Sequence, residues 1–166
     1  MNWEAIGAFG ESLGAIAVVV SLLYLAAQIR QNSRIVKGTT VHSITQTIQS
    51  ELRWSADFRE MFVKVIESPE SLSKDEAFAL GEWMTAAMMA RQNEFIQFKQ
   101  SLIDDSTWHG CRGILKNMLA IPWVRTWWAE FDNSVFTPEF IALVGSVLEE
   151  GFDFDYQDYL RGIDLG

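Results

Sequence analysis

Cysteine, histidine and proline are scarce in this 166-residue chain, with one, two and three copies. A lone Cys111 rules out an internal disulfide framework and suits a reducing compartment. His42 and His109 lie far apart, and no Glu-x-x-His pair occurs, so the usual di-iron bundle signature is missing. His109 and Cys111 are two residues apart and would point to different sides of a helix. They fall short of the about four ligands that zinc takes, and no metal or cofactor is expected. Phosphate loops, GxSxG elbows and dinucleotide fingerprints are also lacking, so no enzyme activity is expected and no catalytic residue is assigned. Positive charge is short as well: 13 Lys and Arg stand against 22 Asp and Glu, a net charge of −9. With no basic stripe after Lys37, a nucleic-acid partner is ruled out of the expectations, because phosphate binding needs clustered cations. Few prolines and few Val/Thr alternations leave helix as the dominant local structure.

What is present begins with "GAFGESLGAIAVVVSLLYLA", Gly7 to Ala26. From Ser12 to Ile29 there is no formal charge, and from Ala5 to Ile29 only Glu11 interrupts. A helix of about 20 residues spans a hydrocarbon core of about 30 Å. Trp3 and Tyr24 stand toward the two ends, where amphipathic rings prefer the interface. The chain opens on Asn2, Trp3 and Glu4 rather than on a basic stretch, which favours a retained helix over a secretory signal. Arg30, Arg34 and Lys37 follow the run and no cation precedes it, so the positive-inside rule puts the N-terminus outside and residues 30–166 in the cytoplasm. The run sits at the lower length limit for a span, and the buried core helix of a soluble protein is the competing expectation.

At about 100° per residue, Gly7, Gly10, Gly14, Ala17, Ser21 and Gln28 share one stripe. Phe9, Leu13, Ile16, Val20 and Leu23 fall opposite, suited to lipid. Gly10 and Gly14 make a GxxxG pair, which lets two helix backbones approach closely. Residues Gly7, Gly10, Gly14, Ala17 and Ser21 are therefore the expected helix–helix interface of a homo-oligomer. Glu11 borders that stripe and is a candidate ion or proton site. It either reaches interfacial water, forms a carboxylate ring in an oligomer, or donates a hydrogen bond while neutral.

The opening "MNWEAIGAFGESLGAIAVVVSLLYLAAQIRQNSR" resembles that of a widespread family of small uncharacterised bacterial single-pass membrane proteins. Looser echoes occur in "SPESLSKDE", "PWVRTWW" and "FTPEF". The resemblance implies one membrane helix, a helical cytoplasmic region and a place in the bacterial inner membrane. It carries over no site residues.

The remainder reads as an all-α helical bundle following the transmembrane helix. Three segments are expected: an anchor and juxtamembrane stretch over 1–35, a cytoplasmic domain over 36–151 and an acidic aromatic tail over 152–166. Helix continues past Arg30 through Val41, Ile44, Ile48 and Leu52 at spacings of three and four. Asp57 with Glu60 predicts an N-cap for a short helix to Glu67, and Ser73 with Glu76 a capping box for a helix over about 74–103. That longest helix carries Ala77, Leu80, Met84, Met88, Phe95, Phe98 and Leu102 on its apolar face, with Arg91 and Glu94 pairing at its edge as a structural bridge or, alternatively, as a polar floor for a small ligand between helices. Further helices are expected from Asp105 or Ser106, from Pro122 and after Thr137, the last ending near Gly151.

Trp127 and Trp128 are adjacent on one helix and cannot both face one core, which makes them a candidate docking surface beside the default of core packing. From Glu149 the chain carries six acids against one Arg, with interleaved rings, and reads as a solvated end or a partner-binding segment. Together these features predict a non-enzymatic, self-associating, membrane-anchored scaffold. Its expected partners are membrane lipid, further copies of itself and a protein on the cytoplasmic domain. The alternative is an oligomeric ion channel or ion-coupled protein using Glu11.

Overall fold

A computed structural model describes residues 3–162 of the chain. It is all-α, with seven α-helices and no strand among the described residues. The chain divides into two compact units, Met1–Thr39 and Thr40–Gly166, and the segment from residue 152 belongs to the second. Residues 163–166 of the tail lie outside the described residues.

The first helix, α1, is Trp3–Asp57, and no proline interrupts it because the first in the chain is Pro69. In the first unit it is long and apolar enough to cross a membrane. Leu13, Ile16, Val18, Val19, Val20, Leu22, Leu23, Tyr24, Leu25 and Ile29 are each between 52% and 67% exposed. Gln28 alone among the described side chains up to Thr39 is half-buried. The side chain of Phe9, expected on the lipid side, lies outside the described ones. The described serine and threonine hydroxyls of this unit are satisfied locally. Ser21 Oγ donates to the Ala17 carbonyl at 2.8 Å and Ser33 Oγ to that of Ile29 at 2.9 Å.

In the second unit α1 continues to Asp57, where Phe58 (φ −108°, ψ 29°) leaves the helix. The N-cap expected at Asp57 does not form: Asp57 is itself the last helical residue, and an N-cap needs non-helical backbone. The next helix, α2 (Arg59–Glu67), therefore starts without a side-chain cap, and Pro69–Ser71 follow as a 3₁₀ turn. The capping box at α3 (Lys74–Lys99) is complete. Ser73 N–H donates to Glu76 Oε2 at 2.8 Å, and Glu76 N–H donates to Ser73 Oγ at 3.2 Å. Lys64 Nζ donates to the other Glu76 oxygen at 2.7 Å. These bonds, that from Lys64 foremost, hold the Glu76 carboxyl down to about 2.

The third helix ends at Lys99, short of the expected 103. Ser101 takes a left-handed φ of 58°, its N–H donates to the Phe98 carbonyl, and Leu102 N–H donates to that of Gln97. This is a Schellman stop built on serine, so no glycine announces it. Then come α4 (Asp105–Ala120), capped by Asp104 Oδ1 on Thr107 N–H, and α5 (Pro122–Glu130), which starts on proline. The helix α6 (Pro138–Glu149) is capped by Thr137, and after it Gly151 turns at φ 72°. The end of the chain forms α7 (Tyr156–Gly162). This segment is docked rather than wholly solvated: Gln157 Nε2 donates to the Ile66 carbonyl at 2.9 Å and Tyr156 is half-buried.

The main core gathers Met84 and Met88 from α3, Leu115 and Leu119 from α4, Val124 and Trp128 from α5, and Phe140, Val144 and Val147 from α6. Each element presents one apolar stripe to this centre, the arrangement by which helices hide apolar area from water. Smaller clusters tie in α1, through Ile44 with Ile103 and Cys111, and α2, through Met61 and Val65 with Leu80.

Candidate functional site

Helical spacing places Ile44, Ile48, Glu51 and Ser55 on the inward stripe of α1. Leu52, expected on that stripe, is 65% exposed, and the residue that turns inward is a carboxylate. On α3 the same periodicity runs through Leu80, Met84, Met88 and Arg91, with Glu94 one turn on. Arg91 and Glu94 thus lie within the buried stripe, not at its edge, at 1% and 2% exposure.

Arg91 Nη2 donates to both Glu51 oxygens, at 3.3 and 3.1 Å, and stands 2.9 Å from Glu94 Oε1. One guanidinium therefore serves two carboxylates from two helices. Burial pushes Glu94 up to about 7, the Glu51 charge adds to this, and Arg91 opposes it. Glu51 is raised for the same first reason, against the pull of Arg91. Cys111 of α4 lies beside Glu94, and burial with that neighbouring charge pushes its thiol up to about 11. Cys111 is consequently a protonated thiol near neutrality, the opposite of an activated nucleophile.

Beside this triad lies a cavity of about 470 Å³, walled by Phe62, Trp83, Met118, Trp123 and Tyr156, with Glu51 at its margin. Trp83 stacks on Trp54 at 5.3 Å and meets Phe62 edge-on at 5.0 Å. These rings are held by packing from α1, α2 and α3.

Of the positions singled out in the sequence, Arg91 and Glu94 belong to this site. A Cβ added at Gly7, Gly10 or Gly14 would meet nothing within 4 Å, and Ala17, Ser21 and Glu11 are exposed along α1. Trp128 is 6% exposed in the main core, packed edge-on against Phe140, so it offers no docking surface. Trp127 is half-buried and stacks on Phe131 at 4.7 Å. Both therefore pack on the one main core, Trp128 inside it and Trp127 at its margin, against the expectation that adjacent residues could not share it. Glu51 is the site residue that sequence reasoning missed. Its signal was its place seven residues after Ile44, on the same helix face.

Comparison with protein-family models, with curated proteins and with solved structures finds no match to this chain.

Proposed function

We propose that the protein is a membrane-anchored, self-associating scaffold whose helical domain engages partners from the cytoplasmic side. The observation that carries this reading is the exposed apolar surface of α1 between Leu13 and Ile29, none of whose most apolar window is buried. Soluble monomers rarely expose contiguous apolar patches beyond a few hundred Å². Apolar side chains point outward along this stretch, and in a membrane lipid covers them outside the face that meets another helix.

The cations Arg30, Arg34 and Lys37 support an orientation with the N-terminus outside, as in the bacterial inner-membrane family that the opening resembles. Self-association runs through Gly7, Gly10, Gly14, Ala17 and Ser21, where missing side chains allow close backbone approach. Ser21 contributes small size rather than a free donor, since its hydroxyl is spent on Ala17.

The test is the mass of the detergent-solubilised protein, wild type against the double variant Gly10→Leu, Gly14→Leu. An oligomer in the wild type that dissociates in the variant is expected. A strict monomer in both, or extraction of the wild type from membranes by alkaline carbonate, overturns the proposal.

A further inference from the structure

The cavity beside the triad is of a size typical for small-molecule sites, about 300–1,000 Å³. Its walls are aromatic and aliphatic, and Glu51 is the charged residue among its described lining. Leu52, 65% exposed, and the exposed Asn117 also line it, so it opens to solvent at that side. Above about pH 7, where Glu94 gives up its proton, the charge around it does not balance. Arg91 is then shared by two ionised carboxylates, Glu51 and Glu94, in a poorly hydrated setting. Glu51 is 18% exposed, whereas Arg91 and Glu94 are sealed, so the surplus negative charge is reachable through Glu51.

We propose that this cavity binds a lipophilic monocation, a mostly apolar body bearing one quaternary or delocalised positive charge set against Glu51. A cation supplies the charge that the triad lacks. Phe62, Trp83 and Trp123 are among the lining, and aromatic rings attract a cation in a desolvated pocket. An anion of the same shape would place its charge beside the Glu51 carboxylate, and a neutral hydrophobe would leave the imbalance above about pH 7 untouched. The lining carries no exposed cation that would recognise an acidic headgroup.

Full-length protein in dodecyl maltoside, at a pH above the value of about 7 to which Glu94 is raised, is dialysed to equilibrium against labelled tetraphenylphosphonium, with protein-free micelles subtracted. Tetraphenylborate, similar in shape and opposite in charge, is the control. Saturable binding of one phosphonium per chain is expected, with the borate at least tenfold weaker. Glu51→Gln, with its helicity and elution volume preserved, weakens phosphonium binding at least tenfold. Leu52→Trp, which fills the rim and keeps Glu51, also weakens it at least tenfold. Absence of saturable binding, or equal affinity for the two ions, overturns the proposal. So does wild-type affinity in a folded Glu51→Gln. If Glu51→Gln does not fold, Leu52→Trp decides: undiminished binding overturns the site and lost binding upholds it.

Discussion

Glu94 and Glu51 face the same guanidinium from α3 and α1, and burial sets how they titrate. Folded, Glu94 keeps its proton up to about pH 7; an unfolded glutamate releases it near its ordinary value of 4.5. Between those values the folded chain binds more protons than the unfolded one, so stability falls as pH rises through that window. Glu51 is shifted the same way and adds to the slope. Glu76, held down to about 2, acts in the opposite sense and only below the window. Thermal unfolding should therefore show a melting temperature that drops between about pH 4.5 and about pH 7, by on the order of 5 °C. Glu94→Gln should flatten that slope; an unchanged slope would mean that Glu94 stays ionised throughout. The pairing of Arg91 with Glu94 was legible from their i, i+3 spacing, but Glu51 was not, because it lies 40 residues away in sequence.

Helix boundaries in this protein follow local chemistry wherever a side chain does the capping. Ser73, Asp104 and Thr137 each accept a backbone N–H at the start of a helix, and Pro122 and Pro138 occupy first-turn positions. Such caps are short-range, so sequence exposes them. Ser73→Ala should lower the unfolding free energy in urea by about 1 kcal/mol with no change in the circular dichroism of the native state. A loss near zero would assign the start of α3 to packing instead. Boundaries marked by neither a side-chain cap, a proline nor a glycine were hidden. The break at Phe58 and the left-handed Ser101 depend on where α1, α2 and α3 meet their neighbours, and neither residue type advertises a stop.

At the scale of the whole molecule, the two units bury apolar surface in different ways. Residues 40–166 close a core on themselves, centred on Met88, Leu119 and Phe140, each fully buried. Phe140→Ala should cost about 3–5 kcal/mol, read as a lower urea midpoint for the helical domain, with the oligomeric mass in detergent unchanged. A change in mass would assign Phe140 to the interface between copies. The described side chains up to residue 39 bury almost nothing of their own, and their helix is long and apolar enough to cross a membrane.

The sequence by itself determined the all-α class, the long apolar first helix, the capping box at Ser73 and the proline-led starts of α5 and α6. Each is set by residues within a few turns of one another, where periodicity, caps and proline act directly. Only the tertiary structure decided that Glu51 turns inward, that Trp128 belongs to the core, that the acidic tail docks as α7, and that a charged triad borders an apolar cavity. Those outcomes join α1, α2, α3, α5 and α7 across long stretches of chain. Long-range packing and shared charge select among faces that helical spacing leaves nearly equivalent, as the exposed Leu52 beside the inward Glu51 shows.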